Sequence, residues 1–124
     1  MLHRPKSCLF ASIAVLLSVP PATAADNFRR LKAAEIKAKI AGMEITDEVH
    51  FVEQYMRDGT LKSFQMGRPT TSNWWVENDH LCTGRDKSDA ACNEIWISGN
   101  KLQIRPPGTT YSRDAILQKP KPRE

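Results

Sequence analysis

The chain has 124 residues, of which 18 are Lys or Arg and 14 are Asp or Glu, giving a formal net charge of +4. A chain of this length supports one domain with one modest core. Removing Arg4 and Lys6, which belong to the leader described next, lowers the net charge to +2. Since so balanced a surface lacks the basic stripe of nucleic-acid-binding proteins, we expect no nucleic-acid partner.

The N-terminal residues follow the pattern of a secretory signal peptide. Arg4 and Lys6 precede an apolar run from Leu9 to Val19, and Ala22-Thr23-Ala24 supplies an Ala-x-Ala cleavage motif. We predict that residues 1–24 are removed, which places the mature protein in the periplasm or outside the cell. The run of about eleven apolar residues is shorter than the roughly twenty of a membrane-spanning helix, so we expect no transmembrane anchor in the mature chain.

Two cysteines remain once Cys8 is lost with the leader, and an even number in an exported chain indicates a disulfide. Cys82–Cys92 is the one pairing they allow. Their spacing is not Cys-x-x-Cys and there is no second cysteine pair, which argues against a redox pair and against a metal site. We therefore predict a structural disulfide, with no metal and no cofactor.

Residues 26–42 are typical of an amphipathic helix, which we place at about 27–41. Asp26 or Asn27 can cap its start, and Gly42 stands where a left-handed residue ends a helix. The predicted apolar side consists of Phe28, Ala33, Ile36, Ile40 and Met43. We expect this helix to pack on its own domain; the alternative for a basic amphipathic helix is a membrane surface.

After Gly42 the sequence changes to short runs of alternating polarity broken by turn residues, which is the signal of strands and hairpins. Turns are predicted at Gly59, at Gly67-Arg68-Pro69, at Asn78-Asp79 and at Ser98-Gly99-Asn100. The predicted strands are Met43–Thr46, Val49–Met56, Leu61–Met66, Asn73–Glu77, His80–Gly84, Cys92–Ile97, Lys101–Arg105 and Asp114–Gln118.

These segments predict a mainly β fold. We expect an antiparallel meander or small curled barrel of six to eight short strands, with the N-terminal helix packed on it. Residues 25–118 form the single domain. The charged stretch Arg85 to Ala91 is predicted to be a mobile loop, and 119–124, with two prolines and no other apolar residue, is predicted to be a disordered tail.

Four short motifs resemble a pattern in small exported bacterial proteins of unknown function. They are Asp58-Gly59-Thr60, Trp74-x-Val76-x-Asn78-Asp79-x-Leu81-Cys82, Cys92-x-x-Ile95 and Ser98-Gly99. In that family an Asp-Gly turn precedes a Gly-x-Trp strand, a Leu-Cys strand and a second cysteine strand, behind an N-terminal helix. The resemblance implies this fold and a periplasmic location, and it implies no activity. Ser72 stands where the family has glycine, and a Gly-Asn-Pro motif is missing around Lys119-Pro120.

Aromatic residues of the central strands are the candidate binding residues. Because Trp74 and Trp75 are adjacent in a strand, they face opposite sides of the sheet. With Trp74 in the core, Trp75 lies either under the helix, which we favour, or on the open face. In the second case Trp75, Trp96 and Phe64 could form a patch for a ligand or partner.

We find no catalytic constellation in the sequence. His50 and His80 each lie in a predicted strand beside a turn, and no nucleophile motif accompanies them. The leading hypothesis is a periplasmic, non-enzymatic, monomeric β-domain that binds a protein partner or small ligand through its sheet face. The alternatives are a lipocalin-like carrier of a small apolar molecule and an enzyme with an unrecognised site.

Overall fold

The computed structural model of the protein describes residues 2–3, 11–18 and 27–123. In this part of the chain there are nine strands, one α-helix and a short 3-10 helix, Lys87–Asp89. The helix α1 spans Ala33–Ile40. The strands are β1 Arg29–Arg30, β2 Met43–Thr46, β3 Phe51–Tyr55, β4 Thr60–Gln65, β5 Arg68–Glu77, β6 His80–Gly84, β7 Ala91–Ser98, β8 Lys101–Arg105 and β9 Arg113–Gln118.

Strands β2 to β9 close into an eight-stranded antiparallel barrel. Each strand from β2 to β8 pairs with the next one along the chain. The last strand, β9, then returns to pair with β2, which completes the ring. A meander closes in this way when its first and last strands meet. The prediction of a mainly β meander or small barrel with one helix is confirmed.

The short strand β1 lies outside the ring and extends it along β7. Arg29 pairs with Ile97 and Arg30 pairs with Trp96, whereas β6 pairs with the other end of β7, at residues 91–93. The two strands β1 and β6 therefore follow each other along the same edge of β7.

The helix closes one end of the barrel. It contacts β5, β6 and β2, which come from opposite sides of the ring. Its residues Ile36 and Ile40 are completely buried, as is Leu31 before it. Beside them the rings of Tyr55 and Trp74 meet edge to face, with centroids 5.7 Å apart. The core of the domain thus fills the barrel from the helix end. Of the adjacent Trp74 and Trp75, between which the sequence does not decide, Trp74 is the core residue.

The helix is shorter than the sequence predicts. It begins at Ala33 rather than near Asn27, because the preceding residues Arg29 and Arg30 use their backbone groups in the ladder with β7. A tertiary pairing of this kind overrides local helix propensity. Phe28, predicted on the apolar side of the helix, instead lies before β1. The end of the helix agrees with the sequence, since Gly42 has a φ of +78°.

The break predicted at Gly67-Arg68-Pro69 is also shorter in the structure. Strand β5 already begins at Arg68, and Pro69 lies opposite Phe64 of β4. Proline is tolerated in a strand near its first residue, where the lost N–H costs little. By contrast, Asn78 and Asp79 form the predicted two-residue turn, with φ values of +50° and +56° that are typical of a type I′ hairpin.

The stretch Arg85 to Ala91, predicted to be a loop, has local structure of its own. It contains the 3-10 helix, and Asp86 Oδ1 accepts hydrogen bonds from the backbone N–H and the hydroxyl of Ser88. Asp89 Oδ1 accepts a further bond from the Asp86 N–H at 3.0 Å. The stretch folds against Gly84, where an added Cβ would lie 2.9 Å from Asp89 Oδ1.

The predicted disulfide is present. Cys82 of β6 and Cys92 of β7 are directly opposite each other in the ladder and are bonded. The bond joins two strands that are already neighbours, and Cys82 is completely buried.

The predicted cleavage motif Ala22-Thr23-Ala24 lies outside the described residues. Residues 11–18 have no helix or strand, and their apolar side chains, such as Leu16, are exposed. The described residues include no helix of the length and apolar character needed to cross a membrane. The stretch 119–123 has no regular structure, but it lies against the barrel through contacts of Lys121 and Arg123.

Candidate functional site

The three aromatic residues predicted to form a binding patch lie at separate places on the barrel. Phe64 is opposite Pro69, and Trp75 lies six residues further along β5, so about 20 Å separates them. Trp96 lies two strands from Trp75 and four residues along β7 from Cys92, which places it about 16 Å away. The structure therefore does not bring Phe64, Trp75 and Trp96 into one patch.

Trp75 and Trp96 are both partly covered by their own neighbours. Trp75 lines a shallow depression with Ala33, Ala34 and Lys37 of the helix, so it lies beside the helix rather than fully beneath it. Trp96 donates from Nε1 to Glu94 Oε1 at 3.0 Å. The Arg105 guanidinium carbon stands 4.0 Å from the centre of the Trp96 ring, a cation–π contact that occupies that face.

Phe64 lies at the edge of a groove of about 670 Å³, which we call the turn groove. It is bounded by the β2–β3 connection, by the turn between β4 and β5, and by the stretch 121–123. Its most informative lining residues are Val49, His50, Phe64, Met66, Lys121 and Arg123. Of the three aromatic candidates, Phe64 is the one that contributes to this groove.

Two large apolar side chains on the rim of the turn groove are exposed. Val49 is 78% exposed and Met66 is 79% exposed. Glu48 and Met66, one from each bounding turn, have left-handed backbones, with φ values of +68° and +51°. Each such residue other than glycine costs about 1 kcal/mol or more, and strain of this kind clusters at functional sites. The sequence gives no signal for it, because neither residue is a usual left-handed one.

A hydrogen-bond network around Asp47 holds the rim in place. Asp47 Oδ1 accepts from the backbone N–H groups of Val49, His50 and Phe51 at 3.0, 2.7 and 3.0 Å. Partial burial raises the pKa of Asp47, but these N–H groups and the His50 ring outweigh it and lower the pKa well below its usual range. The Met66 N–H donates to the His50 carbonyl at 3.1 Å, which ties the two turns together.

On the other side of Phe64 lies the carboxylate of Glu44, an outward residue of the barrel that is completely buried with the stretch 119–123 in place. Its cross-strand neighbours Gln118 and Gln54 donate to it from Nε2 at 2.6 and 3.1 Å. The Arg123 guanidinium and the Lys121 N–H donate at 3.2 and 3.4 Å. Burial raises the pKa of Glu44, yet the donors from Gln118, Gln54 and Arg123 lower it on balance. The sequence did not point to this site, because the alternation in β2 marks Glu44 only as an outward residue.

The histidines and the buried tyrosine take part in local pairs. His50 Nδ1 lies 2.8 Å from Asp47 Oδ2, and His80 Nε2 lies 3.3 Å from the Arg30 guanidinium. Inside the barrel, the Tyr55 hydroxyl donates to Glu53 Oε2 at 2.5 Å. Burial raises the pKa of Tyr55, and the nearby Glu53 carboxylate raises it further, so this phenol stays neutral and acts as a donor.

One group of potential metal ligands occurs in the described residues. Ligand atoms of Glu77, Cys82 and Cys92 lie within 4.8 Å of one another. Because the two sulfurs are bonded to each other, they lack the thiolate that binds a metal. One carboxylate remains, which does not make a metal site.

Comparisons with known proteins provide no relative from which a site could be inferred. No family model matches the chain, and no curated protein or solved structure shows significant similarity to it. The resemblance to small exported two-cysteine proteins therefore stays a prediction, and the function has to be argued from the residues themselves.

Proposed function

We propose that the mature chain is an exported, non-enzymatic domain that binds another protein through the turn groove. The proposal rests on the exposure of two apolar side chains, Val49 and Met66. Both are almost four-fifths exposed, although each lies on a turn held by hydrogen bonds to its neighbours. Large apolar side chains exposed side by side on turns with a fixed backbone are characteristic of protein-binding sites, because covering them removes apolar surface from water while the backbone needs no further ordering.

Export is supported by two independent features. The Cys82–Cys92 disulfide suits an oxidising compartment. The apolar run from Leu9 to Val19, preceded by two basic residues and followed by small ones, supplies the signal that export would need. We place the mature protein in the periplasm or outside the cell.

Two other functions fit the described residues less well. A lipocalin-like carrier needs an interior cavity, whereas Ile36, Ile40, Tyr55 and Trp74 occupy the helix end of this barrel. A hydrolase could use the His50–Asp47 pair, but Asp47 accepts three backbone N–H groups and so serves the turn. Among the described residues, His50 has no side-chain hydrogen bond other than that to Asp47.

Site-specific photo-crosslinking tests the proposal. Benzoylphenylalanine is introduced at Val49, at Met66 or, as a control, at Tyr111, which is 69% exposed and lies in the β8–β9 connection. The full chain is expressed in cells of its own species. We expect the first two positions to give the same crosslinked protein and Tyr111 to give none.

The captured protein is then purified and its affinity measured directly. Val49→Asp and Met66→Asp should each weaken binding at least about tenfold, because they place a charge in the apolar contact. Tyr111→Asp should leave the affinity unchanged. Equal crosslinking from Tyr111, or full affinity in both groove variants, would contradict the proposal.

A further inference from the structure

The stretch 119–123 lies over a part of the outer face of the barrel that we call the Glu44 trough. The floor of the trough is a row of outward residues on neighbouring strands, in which Gln118 of β9 and Gln54 of β3 stand on either side of Glu44 of β2. Phe64 of β4 lies next to this row, and Lys121 and Arg123 border both the trough and the turn groove.

The barrel itself gives the Glu44 carboxylate only neutral partners. Gln118 and Gln54 donate through amide groups, and among the described residues the one cation paired with Glu44 is Arg123. The stretch 119–123 itself completes the burial of Glu44, and a carboxylate covered in this way is strongly destabilised unless the covering segment brings a cation. The trough is therefore selective for a segment that brings a cation, and the guanidinium is the better one because it keeps several donors in one plane.

Apart from the Arg123 contact, the barrel binds the stretch 119–123 weakly. Its backbone makes two long hydrogen bonds, from Lys121 N–H to Glu44 at 3.4 Å and from Gln54 Nε2 to the Lys121 carbonyl at 3.3 Å. All five residues are exposed. Two of them, Pro120 and Pro122, have no N–H to donate.

The composition of the stretch, Lys-Pro-Lys-Pro-Arg, matches a known way of recognising peptides. Proline-rich segments are already extended before binding, so they dock on aromatic surfaces with little loss of entropy. Here the Arg123 guanidinium carbon stands 6.0 Å from the centre of the Phe64 ring. The Glu44 trough thus combines an aromatic side chain, two amides and a carboxylate.

We propose that the Glu44 trough is a binding site for an extended, proline-containing segment that carries an arginine, and that the stretch 119–123 occupies it in competition with a partner. Glu44 recognises the arginine, and Phe64 contacts the extended backbone beside it. This inference rests on the proposed function, because it names the kind of segment that a protein bound at the adjoining turn groove would present.

A fluorescein-labelled peptide, Lys-Pro-Lys-Pro-Arg with a C-terminal amide, tests the inference by fluorescence anisotropy on the full mature chain. In the wild type the peptide competes with the stretch 119–123, which β9 holds directly beside the site. The variant Arg123→Ala removes that competitor. We expect it to bind the peptide at least about tenfold more tightly than the wild type does.

Two controls make the result specific. A peptide ending in Ala instead of Arg should bind the Arg123→Ala variant at least about tenfold more weakly than the arginine peptide does. Arg29→Ala, which removes an arginine paired with Glu35 at 2.7 Å near the helix, should behave as the wild type does. Adding Glu44→Gln to Arg123→Ala should abolish the preference for the arginine peptide, provided that circular dichroism shows the barrel to be intact.

Equal affinity for the two peptides, or no binding to folded Arg123→Ala, would overturn this inference. It would leave the proposed function standing if Val49 and Met66 still give their crosslinks. Should the Glu44→Gln variant fail to fold, the comparison of the two peptides on Arg123→Ala decides the question without it.

Discussion

The carboxylate of Asp79 accepts a hydrogen bond from the backbone N–H of Ala33 at 2.7 Å, so that a hairpin turn caps a helix that lies 46 residues earlier in the chain. Ala33 is the first residue of α1, and the first N–H groups of a helix have no partner within it. Lys32, the residue in the capping position, has no side-chain oxygen to offer. The turn between β5 and β6 therefore supplies the cap and fixes the helix over the barrel end.

Asp79→Gly should lower the free energy of unfolding by about 1 kcal/mol, the usual value of a helix cap. Glycine tolerates the left-handed backbone of Asp79 at φ +56°, so the loss reports on the cap rather than on the turn. Asp79→Asn keeps both an oxygen and the turn preference and should remain close to the wild type. Urea unfolding measures both variants, and equal losses in the two would disprove the capping role.

Trp74→Ala should be among the most destabilising single changes, at about 3 to 5 kcal/mol. Trp74 is 7% exposed, its ring meets that of Tyr55 edge to face, and its Nε1 donates to the Met56 carbonyl at 2.7 Å. His50→Ala and His80→Ala are expected to cost much less. Thermal melts of the three variants provide the comparison, and a histidine variant that melts below Trp74→Ala would contradict the assignment of the core.

Replacing both Cys82 and Cys92 by alanine should lower stability by about 2 to 4 kcal/mol while leaving the β-sheet signal unchanged. The bond closes a loop of only about eleven residues between strands that are already paired, so it stabilises the fold but does not determine the pairing. Chemical denaturation and circular dichroism of the double variant test this. Loss of the sheet at low temperature would show that the bond is required for the fold.

Stability should fall at acid pH partly through Asp47. Its pKa in the folded protein lies below the unfolded value of about 3.9, so the unfolded chain takes up the proton first on acidification. The contribution of Asp47 is therefore present above about pH 4 and is lost as the pH falls below it. Asp47→Asn should be less stable than the wild type at about pH 6, and its melting temperature should decline less between about pH 6 and pH 3. Parallel declines would show that Asp47 is not responsible.

Some parts of this protein could be predicted because they depend on neighbours in the sequence. The turn at Asn78-Asp79 requires two left-handed residues in a row, and these residue types favour that conformation. The glycine at position 42 ends the helix for a similar local reason. The alternation of apolar and polar residues marks most strands to within a few residues, and the two cysteines outside the predicted leader allow a single disulfide.

The boundaries that sequence reasoning misplaced were decided by partners distant in the chain. The helix starts late because Arg29 and Arg30 pair with residues of β7 and because Asp79 caps Ala33. Strand β5 starts early because β4 provides a ladder as far as Arg68, which extends through Pro69. In each case a hydrogen bond to a remote strand outweighs a local preference of about 1 kcal/mol or less.

What the sequence by itself determined is the β character of the chain, its turns and its disulfide. What only the tertiary structure decided is which outward side chains are neighbours. Alternation places Trp74 and Trp75 on opposite faces, but the closed barrel decides that Trp74 faces inward. The register and the closure of β9 onto β2 set the distances between Phe64, Trp75 and Trp96. The same closure brings Gln118 beside Glu44, 74 residues earlier, and leads the stretch 119–123 over that carboxylate. The site is therefore a property of the closed barrel, because its parts meet only after the first and last strands have paired.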